Sequence, residues 1–368
     1  MKNLRLVSIL GARPQFVKGA AVSEEIRKNN KRSKTKINEK LVHTGQHYNV
    51  EMSDLFFNQL EIPRPDYNLG VRSEFHGEQT ALMITGIEKI LIKERPDLVI
   101  VYGDTNSTLA GALSAAKLHI PIAHIEAGLR SFNKQMPEEI NRIITDHLSD
   151  FLFCPTKQSI VNLKKEGITK NVYLVGDIMK EMVLKFCSRA LRQSQILKSL
   201  CLTSHNYYLA TIHRAENVDC PEKLKTLMEI FEKLDLDVIL PLHPRTQNKI
   251  KEFRIKVPPK IRIIMPVSYF DMLVLEKNAK IILTDSGGVQ KEAFLFGTPC
   301  ITLREETEWV ETVVKKRNIL TGVDKNKILN GMKKFFKNDY FKRNVSDPYG
   351  DGYTSNKIIK IIKRNLIN

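Results

Sequence analysis

Apolar and polar positions follow two alternating rhythms along the chain. Short apolar runs rich in β-branched residues, LRLVSIL, EKLVHTG, DLVIVYGD, PIAHIEAG, DFLFCPT and VYLVGD, occupy the stretch before residue 178. Segments of helical spacing lie between them, such as the one through EEIRKN after the first run. A long polar, helix-like stretch over 178–205 ends in TSHN, and a second series follows: YYLATIH, DVILPLH, IRIIMPV, KIILTD and TPCITLR. Strand runs alternating with helices predict βαβ units on parallel sheets, so each half reads as an open, doubly wound α/β domain. The boundary falls near 176–205, with a first domain over 1–176 and a second over 177–349. The end, SNKIIKIIKRNLIN, reads as an amphipathic helix that docks on the protein rather than on a membrane.

A length of 368 residues supports the same division, since single cores rarely grow so large. No run reaches the roughly 18 apolar residues of a membrane span, and Arg5 interrupts the short apolar N-terminus, which reads as a buried strand rather than a leader. The cysteines Cys154, Cys187, Cys201, Cys220 and Cys300 are odd in number and form no CxxC pair, which argues against disulfide frameworks and zinc sites and for a reducing cytoplasm. A net charge of +17 raises the possibility of nucleic-acid binding. The lysines are spread over most helices, however, and the one dense run, NKRSKTK at 30–36, reads as a solvated loop, so the charge suits an anionic small substrate better.

Unusual polar residues gather where strands end, the edge at which doubly wound sheets bind ligands. DSGGVQKEA, residues 285–293, runs from a strand end into a helix, so Ser286, Gly287 and Gly288 offer backbone N–H groups to an anion or form a plain strand-to-helix turn. Glu292 on the same helix fits either a sugar diol or solvent. GARPQFVK places Arg13 and Lys18 after the first strand, and no GxGxxG pattern occurs anywhere, which leaves a nicotinamide or flavin cofactor without support. Asp104, Glu126 and Glu138 each have an ordinary structural explanation, Asp104 as the cap of the helix that begins near Ser107. Together, three acids at one sheet edge with Arg13, Lys18, His213 and Arg214 suit proton transfer. His43 and His47 have the i, i+4 spacing of metal ligands, but a strand-end turn gives them no common helical face, and no metal is expected. His213 and His243 close strands of the second half beside Arg214 and Arg245.

The ordered set GARPQFVK, HTGQH, GDTNS, HIEAGLRS, PEEINR, TIHRAEN, LHPR, DSGGVQKEA and TEWVE resembles the non-hydrolysing UDP-N-acetylglucosamine 2-epimerase family over nearly the whole chain. The resemblance implies two Rossmann-like domains of glycosyltransferase-B type with an interdomain cleft, and a C-terminal helix over about 350–368 that completes the first domain. It implies UDP-GlcNAc and UDP-ManNAc as substrate and product, no cofactor, and a homodimer. It assigns Asp104, Glu126, Glu138 and His213 to catalysis, and Arg13, Lys18, Arg142, Arg214, His243, Ser286, Gly287, Gly288, Glu292 and Arg304 to the UDP-sugar. Gln46, His47 and Arg72 match positions where relatives bind an activating UDP-GlcNAc. GARPQ and TEWVE depart from the commoner GTRPE and TERPE, putting Gln15, Trp309 and Val310 at positions expected to face the cleft. Both departures resemble a branch that includes epimerases of UDP-2,3-diacetamido-2,3-dideoxyglucuronic acid. A hydrolysing epimerase and a glycosyltransferase are the remaining alternatives.

Overall fold

The computed structural model describes residues 3–45, 60–73, 75–242, 244–337 and 346–367. They form two compact units, Met1–Leu184 with Asp347–Asn368, and Lys185–Ser346.

The first unit is built on a seven-stranded parallel sheet in the order β3-β2-β1-β4-β5-β6-β7. Its strands are β1 (Leu4–Leu10), β2 (Ile37–His43), β3 (Tyr67–Asn68), β4 (Leu98–Tyr102), β5 (Ile122–Ile125), β6 (Phe151–Cys154) and β7 (Val172–Leu174). All five residues of β4, LVIVY, are buried, because helices cover both faces and leave no side for polar alternation. Helix α1 (Arg13–Arg32) follows β1, α2 (His76–Glu94) precedes β4, α3 (Asn106–Lys117) follows it, and α4 (Pro137–Leu148) precedes β6. One core joins Val7, Ile9, Val99 and Val101 to Met83 and Ile87 of α2. The C-terminal helix (Thr354–Ile367) buries Ile358, Ile359 and Ile362, and its Asn356 and Lys363 donate to Glu25 and Asn29 of α1 at 2.7 and 2.8 Å.

The second unit carries a six-stranded parallel sheet, β10-β9-β8-β11-β12-β13. The strands are β8 (Tyr208–Thr211), β9 (Val238–Pro241), β10 (Ile261–Ile264), β11 (Ile281–Thr284), β12 (Cys300–Thr302) and β13 (Asn318–Leu320). Tyr208, Leu240 and Leu283 face one hydrophobic layer with Leu227 and Phe231. Leu209, Ile239 and Ile282 face the other, with Val289 and Ala293.

Both sheets reverse their winding at one point, between β1 and β4 in the first and between β8 and β11 in the second. Loops on either side of such a point leave in opposite directions and open a crevice at the carboxyl ends of the strands, where ligands of this architecture bind.

Candidate active site

At the switch point of the first sheet, Gln15 ties the two diverging loops together. Its Oε1 accepts the backbone N–H groups of Gly11 and Ala12 at 2.7 and 2.9 Å, and its Nε2 donates to the carbonyl of Tyr102 and the hydroxyl of Thr108 at 2.7 and 2.9 Å. Gln15 is therefore buried and fully bonded instead of facing ligand, which corrects the expectation drawn from GARPQ. Gly11 beside it is forced by close approach, since a Cβ there would lie 1.9 Å from the Ser107 hydroxyl.

Asp104 follows β4 across the left-handed Gly103, φ 65°. It does not cap α3. Thr105 does, accepting from the N–H of Thr108, while the Asp104 carboxylate receives Nε and Nη2 of Arg142 at 3.0 and 2.5 Å. Arg142 in turn donates Nη1 to Glu139 at 2.7 Å and is 1 % exposed, so this guanidinium, expected on the nucleotide, is spent orienting carboxylates. Glu139 also accepts from Ser131 N, Ser131 Oγ and Phe132 N at 2.9, 3.0 and 2.8 Å.

Glu126 follows β5 and is buried in an ion pair with Lys18. Its φ of 77° is left-handed, a conformation that costs a non-glycine residue about 1–2 kcal/mol. The Lys18–Glu126 pair passes over Gly103, where a Cβ would meet Lys18 Nζ at 3.1 Å and Glu126 Oε2 at 3.2 Å. Asp104 and Glu126 thus sit side by side on adjacent strand ends, each against its own cation. Glu138 is half-buried in the first turn of α4, Arg13 half-buried at the start of α1, and Arg72 exposed beyond β3.

Below these acids lies a buried network that the sequence did not reveal. His124 reaches Asp146 Oδ1 through Nδ1 and the Gly103 carbonyl through Nε2, both at 2.7 Å. Asp146 Oδ2 accepts from Gly128 N at 3.0 Å and Arg130 Nη1 at 2.7 Å. Burial pushes the Asp146 carboxyl up, but charge and hydrogen bonding from His124, then Arg130, outweigh it and hold the group below the usual carboxylate range. The loops bearing Asp104 and Glu126 therefore share one ionic support.

In the second unit the organising group is Asp285, the last residue before the SGG turn and fully buried. Its carboxylate accepts from His213 N, Arg214 N and Asn217 Nδ2 at 3.0–3.2 Å, and lies 3.1 Å from His213 Nδ1. The His213 side chain is 48 % exposed, with Nε2 turned away from the carboxylate. Helix α12 (Gly287–Phe296, counting the helices in chain order) has Ser286 at its N-cap, and the Ser286 side chain does not cap its first N–H groups. The two glycines differ. A Cβ on Gly287 would meet Glu308 Oε1 at 2.2 Å and Trp309 Nε1 at 3.1 Å, whereas one on Gly288 would touch only Ser286 Oγ at 3.8 Å. Gly287 makes room for protein and Gly288 faces open space. Glu292 is buried rather than solvated.

Arg304 is also buried, 3.0 Å from Glu308, and with Asn217 lines a pocket of about 290 Å³. Trp309 is buried under the ammonium of Lys291, 3.8 Å from the ring centroid, so this residue too faces protein and not a cleft. Gln46, His47 and His243 lie outside the described residues. Among the described residues no group of three or more His, Cys, Asp or Glu side chains could hold a metal, and no helix is long and apolar enough to cross a membrane.

Acids and cations at the switch point of one doubly wound sheet, with a diglycine helix start at that of another, define a Rossmann-like enzyme of the glycosyltransferase-B kind. A family model for UDP-N-acetylglucosamine 2-epimerase matches residues 29–363. The UDP-N-acetylglucosamine 2-epimerase homolog of Methanococcus maripaludis is 48% identical over 99% of this chain and 100% of its own. The UDP-2,3-diacetamido-2,3-dideoxy-D-glucuronate 2-epimerase of Pseudomonas aeruginosa is 44% identical over 98% of this chain and 100% of its own. The crystal structure of Methanocaldococcus jannaschii UDP-GlcNAc 2-epimerase in complex with UDP-GlcNAc and UDP matches with a TM-score of 0.91 and 44% identity, over 98% of this chain and 100% of that one. The chain belongs to the UDP-N-acetylglucosamine 2-epimerase family and is, like its relatives, an isomerase.

Proposed function

We propose that the protein interconverts UDP-GlcNAc and UDP-ManNAc as a non-hydrolysing 2-epimerase. The observation that supports this most directly is the pairing of Asp104 with Arg142 and of Glu126 with Lys18 on adjacent strand ends. The C2–H of such a sugar is not flanked by a carbonyl, so a base removes the proton while the C1–O bond breaks toward UDP, giving a 2-acetamidoglucal. Proton delivery to the other face of C2 and return of the diphosphate oxygen to C1 complete the inversion. Asp104, Glu126, Glu138 and His213 are the acid and base candidates, and oriented carboxylates suit work that must be done on both faces of one carbon. Arg13, Arg214, His243, Arg304, Glu292 and the Ser286–Gly288 helix start hold UDP, whose departing charge the backbone N–H groups stabilise. Lys18 and Arg142 act by fixing Glu126 and Asp104.

Incubation with UDP-GlcNAc in deuterium oxide, followed by NMR of the C2 epimers, tests the reading. Interconversion with deuterium at C2 and no free sugar supports it; release of free ManNAc overturns it in favour of a hydrolase. A second reading, epimerisation of UDP-2,3-diacetamido-2,3-dideoxyglucuronic acid, is favoured by the 44% identity to the Pseudomonas aeruginosa enzyme of that sugar. A preference in kcat/KM of about 100-fold or more for the uronate, a gap of about 2.7 kcal/mol, would select it. All five cysteines are free thiols, which fits a cytoplasmic setting. The exposed Phe75, Leu82 and Ile92 on or beside α2 fit a homodimer, which light scattering would check.

A further inference from the structure

His76, the first residue of α2, belongs to a chain of amides whose orientations are fixed at both ends by backbone carbonyls. At one end Gln79 Nε2 donates to the Ser73 carbonyl at 3.0 Å, which leaves its Oε1 toward Asn106. At the other, Asn141 Nδ2 donates to the Asp104 carbonyl at 2.9 Å and to Asn106 Oδ1 at 3.2 Å. Asn106 must therefore present Nδ2 on its other side, and it donates to Gln79 Oε1 at 2.8 Å and to His76 Nδ1 at 3.0 Å. An amide nitrogen has no lone pair to offer, so His76 Nδ1 is the acceptor and the ring proton resides on Nε2. Asn106 and Asn141 are 4 % exposed, whereas His76 is exposed and directs Nε2–H away from them.

We propose that His76 is a substrate-contacting residue whose Nε2–H donates to an acceptor oxygen on the sugar of the bound UDP-sugar. The inference rests on the proposed function above. Its basis is position: Asn106 lies two residues past Asp104 and Asn141 holds the Asp104 carbonyl, so the imidazole stands two side chains from the acid cluster, at the sheet edge where ligands bind. A neutral, tautomerically fixed donor at that place is organised for an acceptor that approaches from solvent.

The competing possibility is that His76 only completes the bonding of Asn106. Two variants separate them, since an asparagine oxygen falls near the position of Nδ1 and a glutamine nitrogen near that of Nε2. His76→Gln should keep KM within about 3-fold of wild type, whereas His76→Asn should raise it about 10-fold with kcat little changed, the scale of one lost hydrogen bond. The reverse order, with His76→Asn normal and His76→Gln impaired, would overturn the proposal. Histidine-selective ¹⁵N NMR gives a readout that needs no turnover. The free protein should show the Nε2–H tautomer, and UDP-GlcNAc, but not UDP alone, should shift that resonance. An Nε2 signal that stays put at saturating UDP-GlcNAc, or moves equally with UDP, also overturns it. A shift specific to the sugar in a protein that epimerises neither sugar would support the contact while defeating the proposed reaction.

Discussion

The Asp285 carboxylate accepts the backbone N–H of His213 at 3.1 Å and stands the same distance from its Nδ1. One buried carboxylate thus fixes both where the β8 loop runs and which imidazole nitrogen faces outward. Asp285→Asn replaces one acceptor oxygen with a donor amid N–H groups of His213, Arg214 and Asn217. Turnover should fall about 100-fold or more, and stability by about 3 kcal/mol, the scale for a broken buried charge network. Urea denaturation alongside steady-state kinetics checks both, and near-normal turnover would remove His213 from the chemistry.

Adjacent glutamates on α4 should behave oppositely. Glu139 is buried with four donors on its carboxylate, so Glu139→Gln should cost about 2–4 kcal/mol of stability. Glu138 is half-buried in the first turn. Glu138→Gln should leave the melting temperature nearly unchanged and reduce turnover about 100-fold or more. Calorimetry and product formation on both proteins test the pair, and a stability loss at Glu138 as large as that at Glu139 would make it structural.

Gln15→Glu should destabilise without altering sugar preference. The amide nitrogen donates to the Tyr102 carbonyl, and a carboxylate there would set two acceptors 2.7 Å apart. The loss should be about 1–3 kcal/mol, and the ratio of kcat/KM for the diacetamido uronate and UDP-GlcNAc should stay constant. A changed ratio would return Gln15 to the specificity question.

Two doubly wound sheets were legible because eleven strands lie in apolar-rich runs between helical segments. Strand β3 has two residues, and β13, NIL, follows the basic stretch KKR, so neither stands out as an apolar run. The site was legible where chemistry shares a strand end with its motif, as Asp104 and Ser286 do. What pairs with what was not, because Arg142 meets Asp104 from 38 residues away and Asp285 meets Asn217 from 68. Gln15 and Trp309 sit inside motifs yet turn inward, and nothing in a motif's order tells which side of the backbone faces ligand. Asp285, written into DSGG, could have been found by asking what holds a strand-end histidine.

Glu39 makes stability depend on pH. Burial raises its carboxyl above the ordinary range, and the nearby Ser23 hydroxyl, the hydrogen bond from Ser8 and the charge of Arg27 offset only part of this. A carboxyl whose pKa is higher folded than unfolded contributes stability below the unfolded value and loses it as pH rises through the folded one. Glu39→Gln should therefore raise the melting temperature relative to wild type at pH 8 and narrow that gain toward pH 4. An equal gain at both values would mean that packing and not ionisation is responsible.

The diglycine turn yields the sharpest separation of fold from binding. At Gly287 a methyl group would collide with Glu308 and crowd the Trp309 indole, so Gly287→Ala must displace the 307–311 segment and should cost about 1–3 kcal/mol of stability. At Gly288 the same methyl enters open space next to the first N–H groups of α12, so the protein has no reason to object. A phosphate approaching those N–H groups does, because it needs the volume a larger side chain would fill. Gly288→Leu should hence keep the wild-type melting temperature while weakening UDP binding about 10-fold or more in isothermal titration, the scale of one or two lost charge-assisted hydrogen bonds. Unchanged UDP affinity in a folded Gly288→Leu protein would move the diphosphate away from this helix start.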